Sequence, residues 1–431
     1  MTQLSSSPIG RILPRHAGAI VEEALGDTRV VLVNGARQCG KSTLVAQIGA
    51  ARGAEWRSLD RAVTRQAALF DPTEFVAGAG TMVIDEVQRV PELLLAIKES
   101  VDTSPRPGRF LLTGSARILG LRTLPDALPG RMETVELWPL SQGEIDGQPD
   151  GFVDAIFELG AELRHTSPEG RAGYVDRVVR GGFPEAVART GVRRERFLDS
   201  YLADLINRDV IQLSEIERGA EMRALTRLLA ARSGQLLVPG ALGAQLGLPQ
   251  PTITRYIGLL EEVFLIKRIP AWSRNLGSRA IGTAKVAMVD SGIAANLLDQ
   301  DVDSLRQPTG PFGPLLEGFV AMEIARQLTW SRQRAELYHY RTKDKIEVDI
   351  VLENRRGQVV AIDVKAGSTV RAEDFRGVRH LADRVGDNLV VGVVLYTGQQ
   401  TLPFGPRLRA VPISALWGTS PMHTSTSSDQ T

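Results

Sequence analysis

Apolar and polar residues fall along the chain in blocks of two kinds. Short unbroken apolar runs, "RVVLVNG" at 29–35, "TMVIDE" at 81–86 and "RFLLTGS" at 109–115, have the length and residue types of buried strands. Between and after them lie helix-like stretches such as "GKSTLVAQIGA" and "PELLLAIKESV". Apolar strands separated by helices predict an α/β domain whose parallel sheet is covered on both faces. A short connection rich in glycine and polar residues, "SQGEIDGQPDG", closes this block. From 153 to about 235 helical spacing takes over, as in "FLDSYLADLINRDVIQL", where apolar residues recur at three and four.

Residues 236–270 change character again. A short helix (240–246), a Gly-Leu-Pro turn and a second helix with Ile253, Ile257 and Leu260 on one face predict a helix-turn-helix closed by a strand. Beyond 285 strands return, with one long helix near 312–329. The pattern divides the chain at 1–145, 146–235 (a helical lid or linker), 236–290 (a winged helix-turn-helix) and 291–415 (a second α/β domain). The polar tail 416–431 is expected to be disordered.

Composition narrows this little. Four hundred and thirty-one residues with 43% apolar and 23% charged content are ordinary for globular domains. A net charge of +1 leaves attraction to nucleic acid or membrane to local patches. The single cysteine, Cys39, excludes a disulfide framework or a cysteine-rich metal site, and the five histidines are not closely paired. No run reaches the roughly 20 apolar residues of a membrane span, and Arg11 and Arg15 interrupt the N-terminal segment, so a cytoplasmic protein is expected.

The first strand runs into "GARQCGKS", which fits G-x-x-x-x-G-K-[ST] between a strand and a helix. Glycines let the backbone curl so that successive N–H groups face phosphates, and the helix N-terminus adds positive potential. Residues Gly35, Ala36, Arg37, Gln38, Cys39, Gly40, Lys41, Ser42 and Thr43 therefore form the expected ATP site. Lys41 should reach the β- and γ-phosphates and Ser42 should ligate Mg²⁺. Asp85 ends the second strand and would hold the magnesium through its water shell. Glu86 beside it would orient or deprotonate an attacking water. Thr113 or Ser115, at the end of the third strand, would contact the γ-phosphate or that water. Arg131, in the loop "LPGRM", is the expected transition-state cation, with Arg37 in competition; action in trans would require a homo-oligomer.

The ordered set "GARQCGKSTL", "VIDEVQRVPEL", "LLTGSARIL", "LPGRMETVEL", "GGFPEA", "LINRDV", "LLEGFVAMEI", "YHYRTKDKIEVDIVLE" and "IDVKAG" resembles a family of prokaryotic AAA-type ATPases. In that family an N-terminal P-loop ATPase precedes a C-terminal domain of unassigned function, with a winged-helix part and a restriction-endonuclease-like part. The resemblance spans about residues 10–412 and implies ATP binding and hydrolysis with magnesium. Cys39 stands where a small or β-branched residue is expected, and would make the loop oxidation-sensitive.

Two further features bear on partners. The second helix of the helix-turn-helix would present Gln250, Thr252, Thr254 and Arg255 to DNA, and Lys267, Arg268, Arg274, Arg279 and Lys285 would form a basic wing. In the last domain Asp349 lies on one strand, and Asp363 and Lys365, two apart on the next, share a face. With Glu317 as a third carboxylate these match a PD-(D/E)xK nuclease pattern, for which Asp349, Asp363 and Lys365 would be catalytic. Asp349, Asp363 and Glu317 would hold Mg²⁺ or Mn²⁺. The expected activity is thus ATP hydrolysis coupled to nucleic-acid processing. The alternative is an ATP-gated switch whose winged helix binds a partner or operator and whose nuclease-like domain binds without cutting.

Overall fold

The computed structural model describes residues 12–115, 128–210, 219–275, 277, 279, 282–307 and 310–420. The chain forms two compact units, one of residues 1–140, 182–226 and 239–267, the other of 141–181, 227–238 and 268–431. The chain therefore passes between units several times, whereas the expected boundaries at 145, 235 and 290 cut it into consecutive blocks.

The first unit is built on five strands, β1 (Val30–Asn34), β2 (Glu55–Ser58), β3 (Met82–Asp85), β4 (Phe110–Gly114) and β5 (Met132–Glu136). All pair in parallel, in the order β2-β3-β4-β1-β5. The three interior strands are buried at every residue, which is why each is a continuous apolar run in the sequence. The two edge strands, "EWRS" and "METVE", are half exposed and carry charge, so no apolar run announces them. Under the sheet Val30, Leu32, Ile84, Phe110 and Leu112 pack with Leu93, Leu94 and Ile97 of the helix Leu93–Thr103. Stacking a parallel sheet this way leaves a crevice beyond the carboxyl ends of its strands, where ligands bind in open α/β sheets. The same unit contains the helices Pro239–Leu246 and Gln250–Glu262, with Leu242, Ile253, Ile257 and Leu260 buried.

Two short strands follow, β6 (Ile266–Ile269) and β7 (Lys285–Met288). The second unit holds a six-stranded mixed sheet: β8 (Glu336–Arg341), β9 (Glu347–Glu353), β10 (Val359–Lys365), β11 (Leu389–Tyr396), β12 (Leu402–Gly405) and β13 (Leu408–Pro412). Their order is β12-β13-β11-β10-β9-β8, with β8, β9 and β10 antiparallel and β10, β11 and β13 parallel. The helix Arg376–Val385 crosses over from β10 to β11 and buries Val378, Leu381 and Val385 against the sheet. The helix Phe312–Gln327 is apolar almost all round and lies inside the unit. It also recruits the segment 141–181: Gln142 N–H donates to Glu323 Oε2 at 2.9 Å and Val153 N–H to Gln327 Oε1 at 3.1 Å. The ordered core extends past 415, because Ala415–Gly418 is helical and Trp417 is buried. Residues 421–431 of the expected disordered tail lie outside the described residues.

Candidate functional site

The phosphate loop leaves β1 at Asn34, between β4 and β5, and enters the helix Lys41–Ala51. Its shape depends on two glycines. A Cβ on Gly35 would sit 2.0 Å from the Leu137 carbonyl oxygen, and Gly40 has a φ of +102°, a conformation that L side chains rarely adopt. Gln38 takes a left-handed φ of 58° without that freedom, strain that surrounding contacts must hold. Two of those contacts come from far along the chain. Arg15 donates to the Cys39 carbonyl at 2.8 Å and the Trp138 carbonyl at 2.6 Å, and Tyr201 Oη donates to the Arg37 carbonyl at 3.2 Å. Cys39 is fully buried with its thiol 3.3 Å from the Leu137 carbonyl. Neither Arg15 nor Tyr201 carries a motif, so sequence reasoning had no signal for them.

Lys41 is buried and folds back onto the loop, donating to the carbonyls of Gly35 (3.0 Å) and Ala36 (2.7 Å). Ser42 Oγ donates to Asp85 Oδ1 at 2.8 Å, and Thr113 Oγ1 donates to the same oxygen at 2.7 Å. Thr43 follows, half-buried in the first turn of the helix. Glu86 adopts a left-handed φ of 61°, its N–H donating to Thr113 Oγ1 at 2.8 Å. Its carboxylate accepts from Ser115 Oγ at 3.1 Å and from the amide of Gln88, a neighbour with no sequence signature. Thr113 therefore steadies Asp85 and Glu86, while Ser115 aims the Glu86 carboxylate. Ser42 and Asp85 offer two hard oxygens side by side, a donor set that suits Mg²⁺.

Arg131 is elsewhere. Its carbonyl accepts from the N–H of Val30, the first residue of β1, whereas the phosphate loop follows the last. Four residues of strand, roughly 13 Å, separate those ends. The Arg131 side chain makes a two-pronged pair with Asp102, at 2.5 and 2.9 Å. Arg131 thus lies at the amino end of the sheet, away from the phosphate loop of its own chain.

In the second unit Asp349 and Asp363 face each other one position beyond the paired residues Ile350 and Ile362, and their carboxyl groups are hydrogen-bonded. Asp349 Oδ2 also accepts from the Val364 N–H at 3.0 Å, and Lys365 Nζ pairs with Asp363 at 3.0 Å. Glu317, on the helix Phe312–Gln327, lies close enough to feel these charges. Lys285 joins them, a residue that the linear reading placed in an exposed basic wing. Its side chain is 3% exposed, and its ammonium lies 2.7 Å from Glu347 Oε1 and 3.0 Å from Asp349 Oδ1. Its one sequence signal is a lone lysine opening a fully buried strand.

Burial pushes Asp349 up, but Lys285 and the bonds from Asp363 and Val364 hold it below its ordinary range. Burial and the Asp349 charge raise Asp363 to about 8, against the pull of Lys365. Burial and the same charge raise Glu317 to about 8 as well. Burial opposes the Lys285 charge, yet Asp349 and Glu347 more than offset it and keep the amine protonated.

The expected metal set does not fit this arrangement. Among the described residues no three Asp, Glu, His or Cys side chains form a group that could hold a metal ion, and Lys285 supplies the cation the carboxylates need. The basic wing is also depleted: Arg279 pairs with Glu353 at 2.5 Å, and Lys267 lies over the Trp138 ring. On the helix Gln250–Glu262, Gln250, Thr254 and Arg255 are exposed and Thr252 half-buried. Among the described residues no helix is long and apolar enough to cross a membrane.

A phosphate loop between strand and helix, with Asp85 and Glu86 ending a strand one place removed from β1, defines a P-loop ATPase of the AAA type. Residues 27–146 match an AAA domain, residues 171–304 one domain of unknown function and residues 312–416 another. The uncharacterized protein Rv2008c of Mycobacterium tuberculosis is 30% identical over 404 residues, covering 92% of this chain and 83% of its own. Mb2031c of Mycobacterium bovis matches to the same extent. The chain belongs to this family of AAA-type ATPases with a C-terminal domain of unassigned function. Among solved structures, the Thermotoga maritima RuvB Holliday junction branch migration motor is 21% identical with a TM-score of 0.30, covering 61% of this chain and 90% of that one. AMPPCP-bound DnaA from Aquifex aeolicus is 14% identical with a TM-score of 0.28, covering 56% and 86%. Scores this low add nothing to the assignment.

Proposed function

We propose that the first unit hydrolyses ATP with Mg²⁺ and that the second is a binding module whose nuclease-like site does not cut. The observation that carries the first part is the convergence of Ser42, Asp85, Thr113 and Glu86 at the mouth of the phosphate loop. Bound Mg²⁺, held through Ser42 and Asp85, would neutralise charge on the β- and γ-phosphates. Lys41 leaves the loop carbonyls to meet those phosphates. Glu86, aimed by Ser115 and Gln88, accepts a proton from the attacking water. Lys41→Ala is expected to abolish ATP binding. Glu86→Gln is expected to retain binding and lose about a hundredfold or more in turnover. Normal hydrolysis by Glu86→Gln would refute this assignment of the base.

Lys285 supports the second part, because a buried ammonium already compensates the carboxylates that cutting would commit to a metal. Plasmid and single-stranded DNA incubated with Mg²⁺ or Mn²⁺ should stay equally intact with wild type, Asp349→Ala and Lys365→Ala. Nicking by wild type that either substitution abolishes would restore the nuclease reading. A second reading, DNA contact through Gln250, Thr254 and Arg255, is favoured by their exposure on one helix. It predicts binding that weakens steeply with salt and with Arg255→Ala.

A further inference from the structure

Two peptide groups of the phosphate loop are held from outside it. Arg15 donates through Nη1 to the Cys39 carbonyl at 2.8 Å and through Nη2 to the Trp138 carbonyl at 2.6 Å, tying the loop to the chain that leaves β5. Tyr201, on the helix Val192–Asp204, donates its hydroxyl to the Arg37 carbonyl at 3.2 Å. Its ring is buried between aromatic neighbours, with centroids 4.9 Å from Phe183 and 6.3 Å from Phe197. Phe183 belongs to "GGFPEA", a stretch that no step of the hydrolysis uses. Gly182 anchors that stretch: its carbonyl accepts from the Leu140 N–H at 2.8 Å, and a Cβ there would strike the Leu140 carbonyl.

A trans peptide is planar, so its C=O and N–H point in opposite directions, and a bond that fixes one aims the other. Among the described residues no peptide is cis. The hold of Arg15 on the Cys39 carbonyl therefore sets the Gly40 N–H, and that of Tyr201 on the Arg37 carbonyl sets the Gln38 N–H. Among the described residues neither N–H is donated to another group of the chain. Gln38 and Gly40 both have left-handed φ, 58° and 102°, the kind of turn in which neighbouring N–H groups converge on an anion. A glutamine keeps that conformation only where its surroundings impose it. Gly40 is also the N-cap of the helix Lys41–Ala51, the end that favours negative charge.

We propose that Arg15 and Tyr201 are positioning residues for ATP: Arg15 turns the Gly40 N–H, and Tyr201 the Gln38 N–H, onto the nucleotide phosphates. Neither side chain touches the nucleotide; each acts through one peptide plane. The assignment rests on the reading of the first unit as a Mg²⁺-dependent ATPase. These donors meet oxygens already charged in the ground state, so their loss falls on ATP binding rather than on the chemical step. Loss of folded protein has the opposite signature, a lower apparent kcat at an unchanged KM.

The test uses the full chain and two variants, Arg15→Gln and Tyr201→Phe, the second of which removes one hydroxyl and leaves the ring in place. Each should raise KM for ATP about threefold to tenfold, with kcat within about twofold of wild type. A second readout follows the Gly40 amide itself. Cys39 is the single cysteine, so carbonyl-¹³C cysteine combined with ¹⁵N-glycine singles out one peptide, Cys39–Gly40. Saturating Mg²⁺-ADP should move the wild-type Gly40 amide proton downfield, the sign of donation to a charged oxygen. Tyr201→Phe should keep that movement, because it acts on the other peptide, and Arg15→Gln should lose most of it. If Arg15→Gln does not fold, Tyr201→Phe decides alone. The proposal is overturned if KM of Tyr201→Phe stays within about twofold of wild type or if kcat alone falls. It is equally overturned if the wild-type Gly40 amide does not move, or moves as far in Arg15→Gln. Wild type that neither binds nor hydrolyses ATP removes the ATPase reading itself, whereas those results in an active wild type remove the proposal alone.

Discussion

Replacing Lys285 by methionine tests whether one buried ammonium holds the second unit together. The substitution removes the cation 3.0 Å from Asp349 but leaves Glu347 its second partner, Arg341, at 2.8 Å. Removing one member of a buried pair costs about 3–5 kcal/mol. The ceiling follows independently from proton uptake. Without Lys285, Asp349 can escape its unpaired charge by staying protonated in the fold, at a cost set by the distance between pH and its ordinary value of 3.8. At pH 7 that cost is about 4 kcal/mol, and at pH 5 under about 2 kcal/mol. For a unit on the order of 200 residues, this lowers Tm relative to wild type by about 8–16 °C at pH 7 and by less than half as much at pH 5. The sign follows from linkage. A carboxyl whose folded value is raised contributes fully below its unfolded value and loses that contribution as pH rises, so the deficit of the variant must widen from pH 5 to pH 7. Scanning calorimetry with ATP present separates the transitions, since ATP raises the one belonging to the first unit. A variant that melts within about 2 °C of wild type at pH 7, or falls equally at both pH values, would show that Lys285 compensates no buried charge.

Two other expectations follow from the same geometry. Because Arg131 is paired with Asp102 at the far edge of the sheet, Arg131→Ala should leave ATP turnover within about twofold of wild type; a hundredfold loss would instead point to a role in a neighbouring copy. Asp363 and Glu317 are both raised to about 8, so the stability they contribute is complete below about pH 4 and lost as pH rises through about 8. The wild-type transition of the second unit should therefore lie higher at pH 5.5 than at pH 8.5, and a flat profile would contradict the burial of these carboxyls.

What could be read from the amino-acid order has a common property: its signal is local. The interior strands β1, β3 and β4 are continuous apolar runs because both faces are buried, and the phosphate loop is contiguous because consecutive backbone N–H groups make it. The helix pair at 239–262 is likewise carried by the spacing of Ile253, Ile257 and Leu260. The edge strands β2 and β5 escaped notice because half-exposed strands tolerate charge.

Tertiary structure alone decided matters of partnership. Arg131 looked like a loop arginine after the nucleotide strands until parallel pairing placed it at their amino ends. Arg15 and Tyr201 brace the phosphate loop from positions more than twenty and more than a hundred residues away, a relation no spacing rule carries. Lys285 shows the limit most plainly. In sequence it is one more cation in a basic stretch; in the fold the strand beginning with it is buried at every position, and its ammonium meets Asp349 from 64 residues further along. A lysine's charge is set by its chemistry, but whether it serves solvent, phosphate or a buried carboxylate depends on which strand the fold brings opposite it.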